Sequence, residues 1–161
     1  MGEAMDQPIR VLIADDHAGA RRGLQALLST RPTVEVVCEA QDGREAVQRV
    51  EEYQPDVVVM DLHMPKWDGL EATRQIKARW PEVRVIALTV RAAYQAAALS
   101  AGADAFLLKG CPSKELFAAI QGRGDPPSKA SAPQRIAQSE TAVENRTDPR
   151  QDRLAAAALP G

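Results

Sequence analysis

Short apolar runs alternate with amphipathic stretches along the chain from residue 9 to residue 121. Several of the runs are nearly continuous Val, Ile and Leu, a composition typical of strands that are covered on both faces. In the stretches between them, apolar residues recur at the i, i+3 and i+4 spacing of one helix face. The pattern predicts five strands, at Ile9–Ala14, Val34–Glu39, Asp56–Met60, Val83–Leu88 and Ala105–Leu108.

Five helices are predicted, one after each strand. Alternation of strands and helices is typical of a parallel sheet with helices on both faces, so the predicted fold class is α/β with a doubly wound sheet. Asp68, with Glu71 three residues later, resembles a capping box for the third helix, and Ser113 is predicted to cap the fifth. The residues that define the helices are Leu24, Leu27 and Leu28; Ala46, Val47 and Val50; Leu70, Thr73, Ile76 and Trp80; Ala97, Ala98 and Ala101; and Leu116, Ala119 and Ile120.

Composition narrows the classes of function. Hydrophobic residues make up 45% of the chain, enough for a core, and the formal net charge of −2 argues against a generally basic nucleic-acid-binding surface. Aromatic residues make up only 4%, too few for a base-stacking platform. Cys38 and Cys111 have no CxxC partner and no nearby histidine, so we expect neither a zinc site nor a disulfide, and the lone thiols fit a cytoplasmic location.

Three segments differ in character along the chain. Residues 1–8 form a short N-terminal extension without the apolar region of a signal peptide, and residues 9–121 carry the alternating pattern. Residues 122–161 are rich in Pro, Ala and polar residues and hold almost no large apolar ones, so we predict a disordered tail. No stretch approaches the roughly 18 uninterrupted apolar residues of a membrane span, and no membrane association is expected.

Polar side chains follow four of the predicted strands. Asp15 and Asp16 follow the first strand, Asp61 the third, Thr89 the fourth and Lys109 the fifth. In a doubly wound sheet the carboxyl ends of the strands form the ligand-binding edge, where clustered carboxylates repel one another and attract a hard cation such as Mg²⁺. A hydroxyl and a lysine beside them suit an anionic phosphoryl group, and an aspartate there can become an aspartyl phosphate. No Gly-rich phosphate loop points to a nucleotide pocket.

Each of these residues also has an ordinary structural interpretation. Asp15 and Asp16 could cap the first helix, and Asp61 could begin a turn. Thr89 ends a strand, as threonine often does, and Lys109 could be a solvated surface lysine. Because each type of group falls at the carboxyl end of its own strand, on four strands, their coincidence favours a site.

Several separated segments carry a family resemblance. The sequence resembles the receiver domain of two-component response regulators, and especially the NarL/FixJ subfamily that carries a LuxR-type helix-turn-helix. The resemblance covers residues 9–121 and implies a flavodoxin-like, five-stranded sheet with strand order 2-1-3-4-5 and five helices. The matching segments are Ile9–His17, Val59–Pro65, Asp68–Ala72 and Ala101–Lys109.

The resemblance implies a metal-dependent phosphorylation site. Asp61 would be the phosphoacceptor, and a sensor histidine kinase would be the donor. Mg²⁺ would be the cofactor, held by Asp15, Asp16, Asp61 and the backbone carbonyl of His63. The domain would take part in its own phosphorylation and dephosphorylation as a signalling module rather than as an enzyme.

Further roles follow from the same resemblance. Thr89 and Lys109 would contact the phosphoryl group, and Thr89 and Phe106 would form the switch that responds to it. The face formed by helix 4, strand 5 and helix 5, around Ala97, Phe106 and Leu116, would bind an output protein or a second copy. No helix-turn-helix pattern follows residue 121, so we do not expect this chain to bind DNA directly.

Three alternatives stay open at this point. Val90 and Trp67 are larger than the residues that the family usually has beside the site, which is compatible with a phosphorylation-independent interaction module. The chain could also be a truncated or degenerate LuxR-type transcriptional regulator. A phosphatase with a nucleophilic aspartate is disfavoured, because His63 stands where a second, acidic aspartate would be needed.

Overall fold

Strands and helices alternate as the apolar pattern predicts. The computed structural model describes residues 7–122, so residues 1–6 and 123–161, with most of the predicted extension and tail, lie outside it. The strands are β1 (Ile9–Ala14), β2 (Val34–Ala40), β3 (Val57–Asp61), β4 (Arg84–Thr89) and β5 (Ala105–Leu108). The helices are α1 (Ala18–Leu28), α2 (Gly43–Tyr53), α3 (Gly69–Arg79), α4 (Gln95–Ser100) and α5 (Ser113–Gln121), with a 3₁₀ turn at Ala92–Tyr94.

All five strands are parallel and lie in the order β2-β1-β3-β4-β5, which confirms the predicted topology. Strand β2 ends one residue later than predicted, and β3 and β4 each begin and end one residue later than predicted. Asp61 and Thr89 belong to β3 and β4 themselves, because each is paired in register with a residue of the neighbouring strand. Both side chains are therefore held by the sheet rather than by the loops that follow it.

Successive strand residues alternate between two apolar layers, because side chains of a strand point to opposite faces. The α2–α4 layer lies between the sheet and helices α2, α3 and α4, and the α1–α5 layer lies on the other face. Leu12, Val58 and Val85 belong to the first layer, and their neighbours Val11, Val57 and Ile86 to the second. None of the helices between residues 7 and 122 has the length and apolar character that a bilayer crossing would need.

The starts of the helices show which caps the sequence predicts well. Asp68 accepts a hydrogen bond from the Glu71 amide at 2.9 Å and begins α3, as predicted. Asp42 begins α2 in the same way. The prediction that Ser113 caps α5 is wrong, because Pro112 occupies the cap position and Ser113 already belongs to the first turn.

Candidate functional site

The carboxyl ends of β1, β3, β4 and β5 meet at one edge of the sheet. The register places the last residue of β1 beside the fourth residue of β3, so Asp15 follows β1 next to Asp61. The backbone carbonyl of Thr89, at the end of β4, accepts a hydrogen bond from the amide of Lys109 at 2.8 Å. Four of the predicted site residues therefore stand on adjacent strand ends, where ligands bind in sheets of this kind.

Asp15 is almost completely buried, and both of its carboxylate oxygens accept hydrogen bonds. The ammonium of Lys109 donates to Oδ2 at 2.7 Å, and the backbone amide of His17 donates to Oδ1 at 2.9 Å. Lys109 Nζ also lies 3.7 Å from Asp61 Oδ2, which is too far for a hydrogen bond. One ammonium group therefore faces two carboxylates, contacts Asp15 more closely and leaves an excess of negative charge.

Asp61 is buried, with 6% of its surface exposed, and its Oδ1 atom accepts a hydrogen bond from the His63 amide at 3.2 Å. Burial raises the pKa of the Asp61 carboxyl above its ordinary value, because the charged form loses solvation. The negative charges of Asp15 and Asp16 raise this pKa further, whereas the His63 amide and the charge of Lys109 lower it. A carboxylate with such a perturbed pKa in a charged cluster is typical of a functional site.

The Oδ1 atom of Asp16 is hidden from solvent and has no hydrogen-bond partner in the described part of the chain. The Nδ1 atom of the exposed His17 lies 3.3 Å from it without forming a hydrogen bond. One ligand atom from each of Asp15, Asp16 and His17 lies within 4.8 Å of the other two. A capping role for the two aspartates is not found, because His17 occupies the cap position of α1 and no side chain caps that helix.

Thr89 and Val90 are neighbours in the chain but lie in opposite environments. The Thr89 side chain is fully buried, and its Oγ1 atom accepts a hydrogen bond from the Arg91 amide at 3.4 Å. Val90, by contrast, is 68% exposed. Most of the Val90 side chain therefore lies in solvent.

The face formed by α4, β5 and α5 differs from the prediction at one residue. Phe106 is half-buried against the α2–α4 layer and lines an open groove of about 490 Å³. Ala97 is half-buried on α4. Leu116 is instead buried in the α1–α5 layer, because α5 turns this residue toward the sheet, so its predicted place on the face is wrong. Leu108, which is exposed, lies on the wall of the same groove.

The loop between β3 and α3 is held against the start of α2. The amide of Gly43 donates to the carbonyl of Trp67 at 3.0 Å, and the guanidinium of Arg44 lies 5.6 Å from the Trp67 ring. Trp67 is half-buried and packs against the α2–α4 layer. At the other end of the loop, a Cβ on Gly69 would collide with the backbone carbonyl oxygen of Asp61. This loop is therefore packed closely against the start of α2 at Trp67 and against the β3 backbone at Gly69.

Sequence reasoning missed two residues near the carboxylates. His17 joins the cluster through its ring nitrogen, and its position directly after two aspartates was the available signal. Arg21 donates from its guanidinium to the backbone carbonyl of Asp15 at 2.7 Å. Its signal was weaker, because an arginine one helical turn after His17 is ordinary on a surface helix.

Both cysteines are free thiols, as expected from their spacing. Burial raises the pKa of the Cys38 thiol to about 11 and also raises the pKa of Cys111. Because the thiolate is the reactive form, neither residue has the environment of an activated nucleophile.

Comparison with known proteins agrees with this architecture. The family model described as the response regulator receiver domain matches residues 11–121. The transcriptional regulatory protein DegU of Brevibacillus brevis is 39% identical over 118 residues, which is 72% of this chain and 50% of DegU. The chain spans about half the length of the curated relatives that it matches.

Solved structures show the same likeness. A LuxR-family two-component response regulator from Aurantimonas sp. has a TM-score of 0.68 and 36% identity, covering 73% of this chain and 88% of that one. The CheX–CheY–BeF₃–Mg²⁺ complex from Borrelia burgdorferi has a TM-score of 0.66 and 25% identity, covering 72% of this chain and 89% of that one. This chain belongs to the response regulator receiver domain family of two-component systems.

Proposed function

We propose that Asp61 accepts a phosphoryl group from a sensor histidine kinase and that the domain signals through the resulting change in conformation and protein contacts. The observation that carries this proposal is the buried Asp61 carboxylate, whose pKa is raised beside two further carboxylates and one lysine. Such a cluster opposes folding, so its presence at a ligand-binding edge supports a chemical role.

The donor set fits Mg²⁺ as the cofactor. Asp15, Asp16 and Asp61 would supply carboxylate oxygens, and the backbone carbonyl of His63 would supply another. The Oδ1 atom of Asp16 has no hydrogen-bond partner among residues 7–122, so it is free to bind the ion. A hard divalent cation prefers oxygen, so the ring nitrogen of His17 is not proposed as a ligand. Bound there, Mg²⁺ would neutralise charge on the carboxylates and on the incoming phosphoryl group. The presence of Mg²⁺ and BeF₃ in the related CheY complex supports this assignment.

The chemistry that we propose is a displacement at phosphorus. A carboxylate oxygen of Asp61 attacks, the bond between phosphorus and the donor imidazole nitrogen breaks, and the released imidazole takes up a proton. Lys109 would pair with one phosphoryl oxygen, and the Thr89 hydroxyl would donate its proton to another. Since Lys109 now contacts an oxygen of Asp15, a cation at Asp15 would release the ammonium toward Asp61.

The proposed response runs from Thr89 to the face formed by α4, β5 and α5. Thr89 lies at the end of β4 beside Lys109, and Phe106 lies on the adjacent β5 and lines the groove on that face. A shift of Thr89 toward a phosphoryl group would therefore change the position of Phe106. We propose that an output protein or a second copy of the chain binds this face.

The test is phosphorylation by acetyl phosphate in the presence of Mg²⁺, followed by intact-mass spectrometry. The wild-type chain should gain the mass of one phosphoryl group, and Asp61→Asn should gain none. Asp56→Asn is the matched control, because Asp56 precedes the opposite end of β3 and an asparagine there keeps an acceptor for the Arg10 amide. No adduct on the wild type, or an adduct that survives in Asp61→Asn, would contradict the proposal.

The alternative of a phosphorylation-independent module depends on Val90 and Trp67. The exposure of Val90 and the packing of Trp67 against the α2–α4 layer support the phosphoacceptor proposal over it. Replacing Trp80 by Phe leaves Trp67 as the only tryptophan, so its fluorescence can report on the loop. A saturable response to Mg²⁺ and beryllium fluoride is expected, and the absence of any response would favour the alternative.

A further inference from the structure

Arg21 connects the aspartate pair to the edge strand β2. Its side chain is only 14% exposed, unusual for an arginine near the start of a surface helix. Nη1 donates to the backbone carbonyl of Asp15 at 2.7 Å, and Nε donates to Glu39 Oε1 at 2.9 Å. The guanidinium is thus held by two partners on two different strand ends.

The bond to the Asp15 carbonyl affects the next residue directly. That carbonyl belongs to the planar peptide that joins Asp15 to Asp16, so holding its oxygen sets the direction in which Asp16 leaves the strand. On the other side, the Asp15 amide donates to the carbonyl of Ala40 at 3.0 Å. Asp15 is therefore held through both of its peptide groups, and these contacts also orient Asp16, whose Oδ1 has no hydrogen-bond partner within residues 7–122.

A register shift in the sheet brings Glu39 within reach of Arg21. The pairing of β1 with β2 slips by one residue between Val11 and Leu12, so that Leu12 is opposite Cys38 and Ile13 is opposite Glu39. A slip of one residue moves every later side chain to the other face of the sheet. Glu39 consequently lies on the α1 side, whereas Cys38 packs against the α2–α4 layer.

We propose that Arg21 is a positioning residue for Mg²⁺, acting through the Asp15–Asp16 peptide and anchored by Glu39; this rests on the function proposed above. The sign of its effect separates this role from simple electrostatics. Removing the positive charge of Arg21 should relieve its Coulomb repulsion of Mg²⁺ and so strengthen Mg²⁺ binding. Losing the orientation of the ligands should instead weaken it, as for other residues that orient metal ligands.

The experiment measures Mg²⁺ binding to the 161-residue chain by calorimetry, with thermal unfolding recorded in parallel. Arg21→Ala should raise the dissociation constant for Mg²⁺ by about tenfold. Arg22→Ala is the matched control, because Arg22 is the next residue of α1 and is exposed, and its dissociation constant should stay within about twofold of the wild-type value. A merely structural role would lower the unfolding midpoint while leaving the dissociation constant unchanged.

Two further variants keep the test decisive if Arg21→Ala does not fold. Arg21→Lys should bind Mg²⁺ about as weakly as Arg21→Ala, because one ammonium cannot reproduce the two-partner geometry of a guanidinium. Glu39→Gln should show a smaller loss, about threefold, because an amide oxygen still accepts from Arg21. If the folded Arg21 variants bind Mg²⁺ as tightly as the wild type or more tightly, the role proposed for Arg21 is overturned and the proposed function stands. If the wild type itself does not bind Mg²⁺, the proposed function is overturned as well.

Discussion

The two ends of β3 each carry an aspartate, and the surroundings of the two residues differ. Asp56, just before the first residue of the strand, is exposed and accepts a hydrogen bond from the Arg10 amide at 2.8 Å. Asp61, the last residue, is buried among like charges, and its pKa is raised. The same residue type is thus a solvated hydrogen-bond acceptor at the amino edge and a buried acid with a raised pKa at the carboxyl edge.

The cations at the two edges differ in the same way. At the amino edge, Arg84 donates two hydrogen bonds, at 3.1 and 2.9 Å, to the carbonyl of Ala119, a neutral backbone partner. At the carboxyl edge, Lys109 faces the carboxylates of Asp15 and Asp61. The first arrangement fastens α5 to the sheet, whereas the second leaves an excess of negative charge. An edge with excess negative charge can recruit a cation, and this supports the site proposed at the carboxyl edge.

The largest expected effect comes from the loop that follows Asp61. Gly69→Ala should lower the free energy of unfolding by about 3 kcal/mol, because the new Cβ would collide with the Asp61 carbonyl and force the backbone to move. Gly23→Ala on α1 meets no atom within 4 Å and should raise it by about 0.5–1 kcal/mol. Urea denaturation measures both, and equal effects would show that the carboxyl edge is not the more tightly built one.

A second prediction compares the two cations. Lys109→Met should lower the free energy of unfolding by about 2 kcal/mol, because two buried carboxylates lose their counter-charge although the lysine is partly exposed. Millimolar Mg²⁺ should restore much of this loss. Arg84→Met should cost about 1–2 kcal/mol whether or not Mg²⁺ is present, since its partner is a carbonyl. Thermal unfolding with and without Mg²⁺ measures these differences. If Mg²⁺ restored the stability of both variants equally, the distinction between the cations of the two edges would be contradicted.

A third prediction concerns pH. Because the pKa of Asp61 is raised on folding, its charged form opposes folding, and this penalty is relieved as pH falls through the raised value toward the unfolded value of about 3.9. Asp61→Asn should therefore stabilise the protein at pH 7, by on the order of 1 kcal/mol, and the advantage should shrink as the medium becomes more acidic. Asp56→Asn should change stability by less than about 0.5 kcal/mol at either pH. A constant advantage of Asp61→Asn from pH 7 to pH 4 would argue against the raised pKa.

The smallest expected effect tests the helix starts at the carboxyl edge. Ser113→Ala should change the free energy of unfolding by less than about 0.5 kcal/mol, because Ser113 caps nothing. Asp68→Ala should cost about 1 kcal/mol, since its carboxylate accepts from the Glu71 amide. Chemical denaturation distinguishes the two, and a loss in Ser113→Ala as large as that in Asp68→Ala would show that the serine caps α5 after all.

The errors of the sequence analysis have separate origins. Strand and helix positions were predictable because hydrophobic periodicity is a local property that both layers of the core enforce. Ser113 was misplaced because periodicity does not show at which residue a helix begins. Leu116 was placed on the binding face by the family resemblance, although the apolar spacing that it shares with Ile120 predicts the buried side of α5. Arg21 was overlooked because its partner Glu39 is distant in sequence and faces it only after the register slips.

Sequence alone determined the alternation of strands and helices, the five strands and the chemical character of the residues at their carboxyl ends. These features follow from side-chain type and spacing, which act over a few residues. Only the tertiary structure decided which contacts those end groups make. Lys109 donates a hydrogen bond to Asp15 rather than to Asp61, Asp16 has an oxygen without a partner in the part of the chain that the structure describes, and Arg21 holds the peptide between the two aspartates. Such contacts depend on strand register and burial, and these are set only when the whole sheet has assembled.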